Sequence, residues 1–94
     1  MTDLEQLRAE IEATDMEILR LMRRRLELAG LVGEYKMERG RPVLDRSSEE
    51  RVISRYRTFA SENGMDPDNA EAVCELLMRE SKDVQSSLHR EALR

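Results

Sequence analysis

The sequence predicts an all-α fold of three helices, one very long, one short and one medium. Three observations carry that expectation. Apolar residues recur at steps of three and four through Leu4, Leu7, Ile11, Ile18, Leu21, Leu28 and Val32, which is the spacing of one buried helix face. Two later segments each open on a helix-capping pattern, and no stretch alternates in the manner of a strand. The composition agrees: 38% of the 94 residues are charged and only 3% are aromatic, a mix suited to helices with long solvated faces.

The first helix opens at Thr2-Asp3-Leu4-Glu5, a capping-box pattern. It holds helical period to about Arg39 and stops at Gly40-Arg41-Pro42. Some 36 residues at about 1.5 Å each make a rod of about 54 Å. A globule of this chain length is only about 25–30 Å across. The rod therefore overhangs its own chain. Gly30 and Gly33 weaken it slightly and mark sites of close packing. Residues 41–46 read as a loop. Ser47-Ser48-Glu49-Glu50 is a second capping-box pattern and starts the short helix, with Val52, Ile53, Tyr56 and Phe59 on its apolar side and Asn63-Gly64 at its end. Asp66-Pro67 places an N-cap before a proline at the first helical position. The third helix then runs to about Ala92, with Val73, Leu76, Leu77, Val84 and Leu88 facing inward.

One domain over 1–94 accommodates all of this. Its overhanging apolar stripe needs a cover. The simplest closure is a two-fold homodimer in which the long helices cross-pack. A long coiled coil fits less well, because Thr14 and Arg25 occupy seam positions and two breaks interrupt the chain.

Several function classes drop out. A net charge of −4 argues against a nucleic-acid binder, although a local basic cluster can still attract an anion. No signal peptide and no apolar run long enough for a bilayer are seen. Cys74 is the only cysteine, which points to a reducing compartment and a small buried residue. A cytoplasmic protein without membrane contact is expected. No metal-ligand cluster and no glycine-rich phosphate loop occurs. A nucleophile–base pair would require His89, four turns beyond Cys74 on the same helix. No metal or cofactor is expected, and any catalysis would be electrostatic.

The polar residues on inward faces are the informative ones. Arg25 continues the apolar stripe of the first helix, and a guanidinium there needs an anionic partner. Either a protein carboxylate answers it or a bound anion does. Lys36 follows eleven positions later, three turns plus about 20°, and so projects from nearly the same side. Ser81 and Gln85 lie one turn apart among inward apolar residues of the third helix. Each of these residues taken singly has a plain structural reading. Together they outline a cavity whose donors converge on something negative. Arg8 lies about 25 Å from Arg25 along the same rod and is rotated by roughly 100°. It joins a site with Arg25 only from the other protomer of an antiparallel-crossed dimer.

The ordered set of residues resembles the all-helical class of chorismate mutases. The matching stretches are Leu7-Arg8-Ala9-Glu10-Ile11, Asp15, Ile18-Leu19, Arg25-Leu26-Glu27-Leu28-Ala29 and Val32-Gly33-Glu34-Tyr35-Lys36. Gly40-Arg41-Pro42-Val43 then leads into Asp45 and Glu49-Glu50, followed by Glu80-Ser81 and Gln85. The resemblance covers nearly the whole chain. It implies an intertwined homodimer with two sites, each lined by both chains, acting on the dicarboxylate chorismate in phenylalanine and tyrosine biosynthesis. By that resemblance Arg8 of one chain and Arg25 of the other hold the substrate carboxylates. Lys36 and Gln85 donate to the ether oxygen, and Asp45, Glu49 and Ser81 address the ring hydroxyl and neighbouring backbone. One departure stands out. The family usually has an arginine directly before the glutamate matching Glu49, where this chain has Ser48, so weakened binding or a rearranged rim is implied. Two rivals share the architecture: an isochorismate–pyruvate lyase, and a non-catalytic helical dimerisation or regulatory module.

Overall fold

The computed structural model describes residues 3–93. It contains three helices and, among the described residues, no strand: α1 Leu4–Glu38, α2 Arg46–Glu62 and α3 Pro67–Ala92. The fold is all-α, as predicted.

Local chemistry sets the boundaries. Asp3 caps α1, accepting from the Gln6 amide at 2.8 Å; Thr2 lies outside the described residues. At the other end Gly40 takes φ 63°. The Arg41 amide then donates back to the Lys36 carbonyl at 2.8 Å and the Gly40 amide to the Met37 carbonyl at 3.2 Å. This is a Schellman stop, for which glycine is suited because no Cβ opposes the left-handed backbone. Gly64 repeats the device after α2, with Met65 donating to the Ala60 carbonyl at 2.9 Å. The α2 start differs from the sequence reading. The cap is Asp45, whose carboxylate accepts from the Ser48 amide at 3.1 Å, and the helix begins at Arg46. A carboxylate supplies an acceptor for that amide at the earlier position, so Ser47 becomes a helical residue with its hydroxyl turned toward Asp45. Asp66 caps α3 by accepting from Asp68 and Asn69, with Pro67 at the first helical position.

The third helix is the centre of the fold. Both α1 and α2 pack on it, and not on one another. α1 runs alongside α3 in the same direction: Arg25 lies by Leu77 and Ser81, Gly30 near Val84, and Gly33 against Gln85 and Leu88. Arg57 ties α2 to the start of α3, donating to Asp68 at 2.9 Å and Glu71 at 3.3 Å. That clamp stays at the surface.

The core is small. Ala29, Gly33, Ala60, Cys74, Met78 and Gln85 are buried. The inner face of α3 is therefore rotated from the predicted one: Val73 and Leu76 are exposed, Leu77, Val84 and Leu88 are half-buried, and Cys74 and Met78 fill the seam. Contact with two helices on different sides selects that narrower line. In α1 every described residue through Leu21 is exposed, including Leu4, Leu7, Ile11 and Ile18. The long dimension is 59 Å, so the rod does overhang the remainder of its chain.

Candidate functional site

The three helices enclose one cavity of about 300 Å³. Each helix lines it with one face. α1 gives Arg25, Ala29, Val32 and Lys36; α3 gives Met78, Ser81, Lys82 and Gln85; α2 and its cap give Asp45, Ser48, Glu49 and Val52. Steps of three and four on a helix keep side chains on one face, so three such faces turned inward make a largely apolar chamber into which a few polar side chains project.

Arg25 enters from α1. It donates to the Leu77 carbonyl at 3.0 Å and to the Ser81 hydroxyl. Ser81 in turn donates to the same carbonyl at 3.0 Å. These acceptors are neutral. Among the described residues no carboxylate forms an ion pair with Arg25. The guanidinium is thus oriented by the protein but its charge is not answered by it.

Lys36 sits one face-repeat further along. Its ammonium donates to the Val43 carbonyl at 2.8 Å and to the Gln85 Oε1 at 3.1 Å. An ammonium only donates, so Gln85 must turn its oxygen to Lys36 and its NH₂ away. The buried Gln85 amide thereby keeps donors available to a ligand. Gly33 makes this geometry possible: a Cβ there would lie 3.0 Å from Gln85 Cγ and 3.2 Å from Gln85 Cα.

On the opposite wall, the amide of Ser48 holds the Asp45 carboxyl below its ordinary range, with burial opposing and Arg51 and Lys36 assisting. Glu49 pairs with Lys82 at 3.0 Å.

Six of the seven residues singled out from the sequence meet here: Arg25, Lys36, Asp45, Glu49, Ser81 and Gln85 all line the cavity. Arg8 does not. It is exposed on the overhang. Lys82 was missed, although it stands four residues after Met78 and three before Gln85. A lysine next to a serine on a helix reads by default as solvated, and only packing by α2 reveals it. The Val43 carbonyl, a backbone group, carried no sequence signal. Cys74 lies buried in the seam, where desolvation pushes its thiol up against the pull of Arg25. His89 lies in a separate hollow with Gly40 and Pro42. Among the described residues no cluster of metal-ligating side chains occurs, and no helix is long and apolar enough to cross a membrane.

The chain is similar to known proteins across this whole arrangement. It is 32% identical over 99 residues to the T-protein of Haemophilus influenzae, a match covering 96% of this chain but 26% of that protein. It is 29% identical over 82 residues to the chorismate mutase of Methanocaldococcus jannaschii, covering 87% of this chain and 83% of that one. A conserved hypothetical protein from Pyrococcus furiosus, of known structure, superposes with a TM-score of 0.73 at 35% identity, over 90% of this chain and 97% of the other. The family model described as chorismate mutase type II matches residues 7–86, which spans all three helices, and the chain belongs to that family.

Proposed function

We propose that this chain catalyses the rearrangement of chorismate to prephenate, as a cytoplasmic step toward phenylalanine and tyrosine. The observation that carries the reading is Arg25: a cation oriented into a cavity by neutral acceptors, with no carboxylate of the described chain to neutralise it. A dicarboxylate supplies that charge.

The reaction is an intramolecular Claisen rearrangement. One C–O bond breaks while one C–C bond forms, and no proton is transferred. The ether oxygen gains negative charge in the transition state. Two tasks follow. The substrate must be held in its folded, near-attack shape, and donors must await the developing charge. In this reading Arg25 grips one carboxylate through paired N–H bonds. Lys36 and the outward NH₂ of Gln85 address the ether oxygen. Ser81 fixes Arg25, while Asp45 and Glu49 meet the ring hydroxyl and the nearby backbone. No nucleophile, general base or cofactor is required.

The second carboxylate falls to Arg8 of a partner chain in a two-fold homodimer. Two bare apolar surfaces support this assembly. One is the overhang bearing Leu4, Leu7 and Ile11, and the other is a groove of about 410 Å³ lined by Phe59, Met65 and Val73. Exposed apolar patches of this kind commonly mark interaction surfaces.

The decisive experiment follows the disappearance of chorismate by absorbance, with prephenate identified as product, beside a parallel incubation with isochorismate. Prephenate from chorismate supports the reading. Pyruvate release from isochorismate alone would make the protein a lyase, and no reaction with either would leave a helical dimerisation module.

A further inference from the structure

The α2 wall of the cavity is made of Asp45, Ser48, Glu49 and Val52. It carries two carboxylates and no cation. A doubly charged anion entering the cavity faces repulsion from that side; Lys36 tempers the charge of Asp45, while among the described residues neither Arg25 nor Lys36 pairs with Glu49. Lys82 is the cation that meets Glu49 on this wall. It projects from α3, lines the cavity, and lies 3.0 Å from Glu49. Its side chain retains 42% exposure against 26% for Glu49. An ammonium has three donors, and among the described residues Glu49 is the partner it meets.

We infer that Lys82 is a further substrate-binding residue, which offsets Glu49 and donates to a carboxylate of the bound dianion on the α2 side. This rests on the reading of the cavity as a dicarboxylate site. The location follows from helix register. Position 82 is one turn from Met78 and from Gln85, so its side chain lines the cavity beside them while its ammonium meets Glu49. Ser48 lines the same cavity immediately before Glu49. A cation placed at 48 would therefore line the same cavity next to Glu49, from α2 instead of α3. In this chain α3 supplies the positive charge that meets Glu49.

The alternative is that Lys82 and Glu49 form only a surface clamp between α2 and α3. Exposed ion pairs of that kind contribute little to stability. Steady-state kinetics on Lys82→Ala, Lys82→Arg and Lys82→Ala/Ser48→Arg, with thermal melts on each, distinguishes the two. Lys82→Ala should raise KM for chorismate by about tenfold or more, as loss of a charge-assisted contact predicts, with kcat changed far less. Lys82→Arg should largely restore KM, and Ser48→Arg should recover part of it in the Lys82→Ala background. The KM of the unmodified protein should also rise with salt more steeply than that of Lys82→Ala. An unchanged KM in Lys82→Ala overturns the inference, as does a variant that melts lower while KM stays put. Calorimetric titration with prephenate separates this from failure of the functional reading. If the unmodified protein binds prephenate without turning over chorismate, the same tenfold loss in Lys82→Ala still supports the assignment. If it neither turns over chorismate nor binds prephenate, the functional reading fails and this inference falls with it.

Discussion

Gly33 and Gln85 touch so closely that one added methyl on Gly33 would come within 3.0 Å of the Gln85 side chain and 3.2 Å of its backbone. The approach of α1 to α3 at this point brings the Lys36 ammonium 3.1 Å from the Gln85 oxygen one turn later. The neighbours of that methyl include backbone, which cannot swing aside. Gly33→Ala is therefore expected to cost about 1–3 kcal/mol by overpacking, despite the better helix propensity of alanine. It should also lower activity by separating Lys36 from Gln85. Thermal melts and initial rates on the variant check both. Gly30, whose nearest neighbour to such a methyl is 3.9 Å away, serves as the tolerant control.

Arg25→Ala should abolish turnover while stability falls only modestly. The residue it removes is bonded to a carbonyl and a hydroxyl, not to a carboxylate. A guanidinium answered by a buried carboxylate would behave differently, since stranding that partner costs about 3–5 kcal/mol. Retained activity with a large drop in melting temperature would assign Arg25 to the fold and remove the main support for an anion site.

Arg8→Ala and Lys36→Ala should each be nearly inactive alone. When the two variants are unfolded together and refolded as mixed dimers, activity should return at about one site in two of each heterodimer, because one site collects both lesions and the other collects neither. No recovery on mixing would place Arg8 outside the site, or both residues in one chain's site.

Activity of the unmodified protein should be nearly flat from about pH 6 to 8, since the neutral amide of Gln85 does not titrate and His89 lies elsewhere. Gln85→Glu should make activity rise as pH falls. The new carboxyl would stand about where Oε1 now meets the Lys36 ammonium, which favours its ionised form. An ionised acid loses the donated bond and repels an oxygen gaining negative charge. Equal rates at pH 5 and pH 8 would refute the contact between residue 85 and the ether oxygen.

Acid should loosen the start of α2. The Asp45 carboxyl titrates below its ordinary value because it accepts from the Ser48 amide. A group with a depressed folded pKa contributes stability that is present above its unfolded pKa and lost as pH falls through the folded one. The effect therefore appears below about pH 4. Asp45→Asn keeps a capping oxygen but removes the titration, so melts of the two proteins should converge in acid and diverge toward neutrality.

The sequence disclosed most of the fold because its boundaries are local. Gly40, Asn63-Gly64 and Asp66-Pro67 act on backbone within a turn of themselves; the first two end α1 and α2 and the third starts α3. The start of α2 slipped because Asp45 and Ser47 are both competent caps and only the folded loop selects between them. Arg25, Lys36, Ser81 and Gln85 were legible as polar residues breaking apolar faces. Lys82 broke no pattern, since its significance comes from α2 lying across it. The face of α3 was misjudged for a related reason. Val73 and Leu76 are as apolar as Cys74 and Met78, and which pair is buried depends on where two neighbours press, a tertiary fact.

The ammonium of Lys36 carries three hydrogens, and the protein has already committed two of them, to Val43 and to Gln85. A ligand finds one left, in the single direction that tetrahedral nitrogen allows. Val43 can take its share because the chain reverses at Gly40 and comes back over the end of α1. A turn with no atom in the cavity therefore rations the donors inside it. Loosening that turn would not remove the lysine's charge; it would free a second hydrogen and make the same cation a less discriminating host.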